Sequence, residues 1–194
     1  MPGNNRRNAG RKPSGSGSSR GVSGGSAPGP QPHASITGDP ATLSFLNKVL
    51  KNELTAINQY FLHSRMLADW GLSHLAHKEY EQSIDEMKHA DRLAERILFL
   101  DGLPNFQALG RLHVGENVEE ILKGDMELEL EALGQLKGAI AHCESVRDYV
   151  SRDLFSDILE NEEEHIDTLE QQFEMIGRMG LQNYIQLQSE PATD

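Results

Sequence analysis

The stretch EQSIDEMKHADRLAERILFL, residues 81–100, contains a helical apolar face and two polar residues in line with it. Leu93, Ile97 and Leu100 recur at steps of three or four residues, as the buried face of an amphipathic helix does. The same steps continued backwards reach His89 and Glu86. Burying a carboxylate without a partner costs several kcal/mol. The stretch therefore predicts a helix whose buried polar pair is neutralised by another part of the fold.

Polar residues interrupt the apolar lines of three other predicted helices in the same way. Glu53 lies in the first helix, Glu129 in the third, and Glu162 with His165 in the fourth. A constant separation of 76 residues relates Glu53 to Glu129, Glu86 to Glu162, and His89 to His165. Two helical hairpins in a pseudo-twofold relation would therefore bring four glutamates and two histidines to one level of a bundle.

A metal centre is the interpretation that accounts for all six residues together. One glutamate on an apolar stripe is commonly an edge residue that reaches water, and one core histidine is commonly hydrogen-bonded. Six such residues in register, with no Lys or Arg on their faces, are not explained in that way. Two divalent cations would offset four carboxylates, and carboxylate with imidazole suits iron or manganese.

Cap and turn residues divide the chain into four long helices and a short fifth one. Asp39 and Pro40 are typical of a helix start, and Gly71 and Gly180 of helix ends. The predicted bounds are about 40–70, 73–101, 117–146, 148–179 and 181–188. Helices of about 30 residues span ~45 Å. The link over residues 102–117 can stretch ~50 Å, enough to cross the bundle.

We expect an all-α fold, a ferritin-like four-helix bundle with a long crossover between the second and third helices and a short C-terminal fifth helix, a topology that the length of the link permits but does not prove. We assign it to residues 36–194. Residues 1–35 are rich in Gly, Ser and Pro and are predicted to be a disordered tail. A transit peptide and a start site assigned too far upstream are the alternatives.

Charge and composition limit the function classes. The net charge is −12, and the five basic residues of the tail leave about −17 for the rest, which disfavours nucleic acid and membrane partners. Cys143 is the only cysteine, so no disulfide forms within the chain. No apolar run approaches the ~20 residues of a membrane span, and no secretion signal is recognisable. We therefore expect a cytoplasmic location.

Six sequence segments resemble the bacterioferritin family, and the resemblance extends over residues 36–189. The segments are NELTAINQYFLH, SIDEMKHADR, ERILFLDGLPN, SVRDYVSRDL, EEEHIDTLE and GLQNY. The resemblance implies two iron ions per subunit at a ferroxidase centre. Its implied ligands are Glu53, Glu86, His89, Glu129, Glu162 and His165. Glu53 and Glu129 would lie at the two ends, with at least one pair of glutamates bridging.

Met87 lies about 100° around the helix from the polar line, on a second apolar face. Spacing alone favours a helix-packing or dimer face. The resemblance instead implies that Met87 is an axial ligand of a haem b shared between two subunits. The positions that would line the haem pocket are Leu54, Phe61, Tyr80 and Ile84.

Two positions depart from the family pattern. Glu81 stands where many members have a histidine that, with the residue matching Asp85, is associated with an iron site facing the cavity. Transfer of iron from the dinuclear centre to the cavity is thereby put in doubt. Thr168 replaces a common Trp. Five other histidines lack ligand partners at helical spacing and are expected to be surface or packing residues: His63, His74, His77, His113 and His142.

The resemblance implies an iron-storage enzyme. Fe(II) would be oxidised by O₂ or H₂O₂ and deposited as mineral inside a homo-oligomeric shell of 24 subunits built from twofold dimers. A ferredoxin-type reductant is a candidate partner for iron release. The alternatives are a non-storing di-iron oxidase or peroxidase of the rubrerythrin type and a DNA-binding mini-ferritin. The single cysteine disfavours the first, and the complete ligand set in one chain disfavours the second. The basic tail leaves weak nucleic-acid contact as a separate expectation.

Overall fold

The computed structural model describes residues 36–189, which form five α-helices and no strand within that range. The helices are α1 (Pro40–Asp69), α2 (Ser73–Phe99), α3 (Val118–Val146), α4 (Tyr149–Met179) and α5 (Leu181–Gln188). The predicted all-α class and the order of the elements are confirmed. The predicted tail, residues 1–35, and the last five residues lie outside the described range.

The predicted start of α1 and its end at Gly71 are confirmed. The Asp39 carboxylate accepts a hydrogen bond from the Thr42 backbone N–H at 2.9 Å, and Pro40 occupies the first turn, where no N–H is needed. Gly71 has φ 81°, a conformation that costs glycine little. The N–H of Leu72 then donates to the carbonyl of Leu67, which closes the end of the helix.

The second helix ends two residues before the predicted position. It stops at Phe99, because Asp101 adopts a left-handed conformation with φ 58°. The N–H of Gly102 donates to the carbonyl of Ile97 at 2.9 Å, which satisfies a carbonyl at the helix end. The third helix ends in the same manner at Arg147, with φ 61°, and α4 begins almost at once.

The segment between α2 and α3 runs along α1 as a crossover. Three hydrogen bonds fix its course: Asn105 N–H to Asn47 Oδ1, Gly110 N–H to Thr55 Oγ1, and His113 N–H to Gln59 Oε1. The order of these pairs shows that the crossover runs in the same direction as α1. It thereby spans much of the bundle's length, as its number of residues allows.

Contacts between helices give the directions of the bundle. Between α1 and α3, Tyr60 contacts Glu129 and His63 contacts Asp125, so rising numbers in one helix meet falling numbers in the other. Between α2 and α4, Arg92 pairs with Asp157 and Arg96 with Asp148 in the same opposed order. The N–H of Gly38, just before α1, donates to the carbonyl of Leu100, just after α2, so α1 is antiparallel to α2 as well. Since α1 is antiparallel to both α2 and α3, the helices α2 and α3 are parallel. This is the predicted ferritin-like topology.

The hydrophobic core consists of two clusters separated along the bundle by buried polar residues. The first cluster includes Leu50, Leu93 and Ile158, and the second includes Leu67, Leu122 and Leu169. In α1 the residues between the clusters include Glu53, Gln59, Tyr60 and His63, all buried. Apolar packing on both sides therefore holds the polar layer that forms the site. Cys143 is buried in the first cluster.

None of the helices in the part of the chain that the structure describes is long and apolar enough to cross a membrane.

Candidate metal centre

All six residues that the sequence singled out lie buried in the polar layer. Glu53 comes from α1, Glu86 and His89 from α2, Glu129 from α3, and Glu162 and His165 from α4. Each helix contributes at the level where its apolar stripe is interrupted, because the 3–4 residue spacing keeps those positions facing inwards. The four carboxylates are almost completely inaccessible to solvent.

Two carboxylates, Glu86 and Glu162, face both histidines. One oxygen of Glu86 lies 3.0 Å from His89 Nδ1, and its other oxygen lies 3.2 Å from His165 Nδ1. Glu162 repeats this arrangement. One of its oxygens lies 3.7 Å from His89 Nδ1, and the other lies 3.4 Å from His165 Nδ1. A carboxylate that presents one oxygen to each of two sites is positioned to bridge two metal ions.

Glu53 and Glu129 each face a single histidine, at opposite ends of the cluster. Glu53 lies 3.4 Å from His89 Nδ1, and Glu129 lies 3.5 Å from His165 Nδ1. The six side chains thus form two overlapping groups. In each, one ligand atom per residue lies within 4.8 Å of the others. Both groups share Glu86 and Glu162, so two adjacent four-ligand sites are available.

Two further side chains, Asn161 and Tyr60, orient this cluster. The sequence pattern indicated neither role. Asn161 Oδ1 lies 3.0 Å from His89 Nε2, so that nitrogen carries the proton and Nδ1 presents its lone pair to the carboxylates. The Tyr60 hydroxyl donates to Glu129 Oε1. Helical spacing alone did not reveal these roles, because an Asn or Tyr on a buried face has many ordinary partners.

The electrostatics of the cluster show how crowded its negative charge is. Burial, and then the charge of Glu86, raise the pKa of Glu53 well above its usual value. Burial and the Glu86 charge likewise raise the pKa of Glu162 to about 11. For Glu86, burial acts to raise the pKa, but the neighbouring His165 and His89 side chains outweigh it and the pKa is lowered. Four buried carboxylates this close together therefore repel one another unless positive charge lies among them.

The donor set fits divalent iron. Glu53 Oε1 and Glu86 Oε1 are buried and lack a hydrogen-bond partner, which is costly unless a cation or proton satisfies them. Among residues 36–189, no Lys or Arg forms a salt bridge with the four carboxylates. Two divalent ions would offset the four negative charges, and an imidazole with carboxylate oxygens at each ion suits Fe(II) or Mn(II).

Met87 lies on the outer surface of α2, away from the metal cluster. Its side chain is 50% exposed, and Phe61, Tyr80 and Leu98 are also exposed large apolar residues of α1 and α2. Phe61 and Tyr80 pack 6.5 Å apart by ring centroids. The Met87 thioether therefore lies exposed on an apolar surface of α1 and α2.

The two departures from the family pattern have different settings. Glu81 is exposed and lies 3.3 Å from His77, one helical turn before it. Asp85 pairs with Lys88 at 2.6 Å. Thr168 lines a small internal cavity of about 30 Å³ beside His165.

A second buried polar cluster, formed by His63, Glu79 and Asp125, lies beside the first. His63 Nδ1 lies 2.9 Å from Asp125 Oδ1, and Gln59 Nε2 donates to the same carboxylate oxygen at 2.9 Å. One ligand atom from each of the three residues lies within 4.8 Å of the others. His63 was expected to be a surface or packing residue without ligand partners. That expectation is corrected, because His63 is fully buried and has polar partners from α3 and the crossover.

The spacing of residues along α2 and α3 could have indicated this second cluster. Asp125 precedes Glu129 by four residues and Glu79 precedes Glu86 by seven, so both lie on the faces that carry the first cluster. No repeat relates the three residues between the two halves of the chain, which is why the 76-residue comparison did not find them.

Comparison with known proteins agrees with the fold. A model of the ferritin-like domain matches residues 43–179. The chain is 45% identical over 159 residues to the bacterioferritin of Brucella melitensis, which covers 82% of this chain and 99% of the relative. The identity to the bacterioferritin of Mycobacterium leprae is 46% over 149 residues, 77% of this chain and 94% of the relative. For the bacterioferritin BfrA of Mycobacterium tuberculosis it is 45% over 159 residues, 81% of this chain and 100% of the relative.

Proposed function

This chain belongs to the bacterioferritin family of ferritin-like proteins and serves iron storage, and from that premise we propose that it oxidises Fe(II) at the buried cluster of four glutamates and two histidines. The observation that supports this most is the shared position of Glu86 and Glu162 between two four-ligand groups. A single metal site would need only one of those groups. Two adjacent groups favour a reaction that takes electrons from two Fe(II) ions at once.

The protein's own residues hold the substrate and manage charge. We assign Glu53 and His89 to one Fe(II), Glu129 and His165 to the other, and Glu86 with Glu162 to both. Asn161 and Tyr60 orient His89 and Glu129 through the contacts described above. Four carboxylates offset the charge of two Fe(II), and the apolar clusters on both sides exclude bulk water.

Two Fe(II) ions supply two electrons to the oxidant. With two protons they reduce O₂ to H₂O₂, or H₂O₂ to water, and leave two Fe(III). Fe(III) is then deposited as mineral in the interior of a shell, for which we propose 24 identical subunits built from twofold dimers. Release of iron would need a reductant of the ferredoxin type. We propose a cytoplasmic location, and for the five basic residues within the segment 1–35 at most a weak contact with polyanions.

Haem b is the proposed second cofactor, shared by two subunits across the twofold axis. Met87 is half exposed on an apolar surface with Phe61 and Tyr80, an arrangement that a monomer would leave in water. Leu54 and Ile84 lie on the same two helices and would complete the pocket. When bound, haem iron supplies one-electron transfer. The thioether of Met87 would be its axial ligand from each subunit.

Size-exclusion chromatography with light scattering, combined with an absorption spectrum, tests the storage proposal. A large shell that elutes with added iron and a haem Soret band is expected. The proposal is contradicted by a small colourless dimer that oxidises Fe(II) but retains none of it. That result would favour the non-storing oxidase or peroxidase of the rubrerythrin type.

A further inference from the structure

The cluster of His63, Glu79 and Asp125 has the arrangement of a metal site. His63 Nε2 lies 2.9 Å from the carbonyl oxygen of His113, which can only accept, so Nε2 carries a proton and donates it. His63 Nδ1 then faces the Asp125 carboxylate with its lone pair, at 2.9 Å and 3.1 Å from the two oxygens. Two acceptors at this distance need a proton or a cation between them.

Glu79 supplies the second observation. Its side chain is buried, with 4% of its surface exposed, and its Oε2 has no hydrogen-bond partner. Burial, followed by the charge of Asp125, raises the pKa of Glu79 well above its usual value. One carboxylate oxygen of Glu79 lies within 4.8 Å of ligand atoms of His63 and Asp125, and two buried carboxylates this close are unfavourable without a positive charge between them.

We propose that His63 Nδ1, Asp125 and Glu79 bind a third divalent metal ion, of the Fe(II) or Mn(II) type, next to the dinuclear pair. Two carboxylates match the charge of one divalent ion. The mixed oxygen and imidazole set matches the preference of these metals. The His113 carbonyl and the Gln59 amide orient His63 and Asp125 as outer partners of metal ligands do.

The third site is connected to the dinuclear pair. Along α2, Glu79, Gln82 and Glu86 lie on one face, and each has a buried oxygen without a hydrogen-bond partner. A cavity of about 30 Å³ is lined by Glu79, Gln82, Tyr60, His165 and Thr168, among others. This volume can hold a water molecule or an ion. At 1.5 Å of rise per residue, the third site lies roughly 6–10 Å from the pair along the helices.

Position 168 lies at the edge of this cavity. The side chain of Thr168 borders it, where the family resemblance leads one to expect a Trp. A larger side chain at this position would occupy the space between His165 and Glu79. An ion held at the third site is therefore placed to move into the dinuclear pair through this cavity.

Anomalous diffraction on the full-length shell, freed of iron and soaked in MnCl₂, tests this inference. The wild type should show three Mn(II) peaks per subunit, one of them bounded by His63, Asp125 and Glu79. Glu79→Gln, which keeps the shape of the side chain but removes its charge, should lower the occupancy of that peak at least fivefold and leave the other two. Glu95→Gln, at an exposed position of the same helix, should retain all three peaks.

Each possible set of Mn(II) peaks in the wild-type map either supports or contradicts the third site. Peaks in the dinuclear pair alone would overturn the third site, show that a shared proton occupies the cluster, and leave the proposed function standing. A peak at the third site alone would support this inference and contradict the dinuclear assignment. A map without any of these peaks would contradict both. If Glu79→Gln does not assemble, Mn(II) binding to wild type and Asp125→Asn, counted by electron paramagnetic resonance, should differ by one ion per subunit.

Discussion

Glu86 and Glu162 lie on different helices, yet each directs one carboxylate oxygen towards His89 and the other towards His165. The two residues occupy equivalent places in the two halves of the chain, 76 residues apart. The two helical hairpins are related by pseudo-symmetry, and the two adjacent four-ligand groups are therefore related in the same way. A bundle assembled from two such halves needs no special loop to build its site.

Replacing a terminal carboxylate should separate oxidation from assembly. In Glu129→Ala the rate of rapid Fe(II) oxidation should fall at least ~100-fold, because one ion loses the carboxylate that it does not share with the other ion. The shell should still assemble, because the substitution relieves repulsion between carboxylates in the metal-free bundle. Stopped-flow absorbance gives the rate, and chromatography checks the shell. Glu131→Gln, an exposed change on the same helix, serves as the control. Oxidation by Glu129→Ala at the parent rate would show that the dinuclear assignment is wrong.

Removing the partner of His89 should weaken metal binding without removing a ligand. Asn161→Ala deprives His89 Nε2 of its acceptor at 3.0 Å, so the ring loses its fixed orientation. We expect the affinity for the first metal ion to fall ~10–100-fold. Calorimetric titration with Zn(II) measures this, and Asn183→Ala, an exposed change on α5, should leave the affinity as it is. An unchanged affinity in Asn161→Ala would show that Asn161 does not position His89.

Haem binding should depend on a single thioether per subunit. Met87→Leu conserves side-chain volume, so stability should change by less than ~1.5 kcal/mol, while the axial ligand is lost. The variant should be purified without a Soret band and should still oxidise Fe(II). Met179→Leu, near the end of α4, is the matched control. A low-spin haem spectrum in Met87→Leu would rule out Met87 as the ligand.

The start of α4 should contribute measurably to stability. The Asp148 carboxylate accepts from the Ser151 N–H at 3.1 Å and pairs with Arg96 at 2.7 Å. Asp148→Ala should lower the free energy of unfolding by ~1 kcal/mol at neutral pH. Denaturant unfolding compares it with Asp153→Ala, which removes only an exposed ion pair and should cost less.

The effect of Asp148 should also depend on pH. Burial acts to raise its pKa, but hydrogen bonds from Ser151 and the charge of Arg96 outweigh it and lower the pKa below 3.8. A lowered pKa means that the stabilisation is present above the unfolded-state value and is lost as pH falls through the folded-state value. The difference between the variant and the wild type should therefore shrink in strong acid. A difference that grows on acidification would contradict this role.

The fold and the cluster of four glutamates and two histidines were predictable because both depend on periodic sequence patterns. Apolar residues at 3–4 spacing fixed the helices, and the repeat of Glu53 and Glu86-x-x-His89 in the second half identified the site. The end of α2 was placed two residues late, because the left-handed turn at Asp101 leaves no glycine there to mark it. The side-chain contacts of Tyr60 and Asn161 were not predicted.

Contacts between side chains of different helices could not be predicted from the periodic pattern. Tyr60 and Asn161 orient ligands on other helices, and the second cluster draws His63, Glu79 and Asp125 from three different helices. Which inward-facing polar residues meet depends on the rotation and register of each helix. These follow from packing and leave no trace in the spacing of one segment.

The most direct test of the dinuclear site is a stopped-flow titration of the iron-free shell with Fe(II) in the presence of O₂. If Glu86 and Glu162 each serve two ions, the amplitude of the rapid oxidation phase should rise linearly and saturate at two Fe(II) per subunit. Saturation at one Fe(II) per subunit, or the lack of a saturable rapid phase, would contradict the central claim that these two glutamates bridge a pair of iron ions.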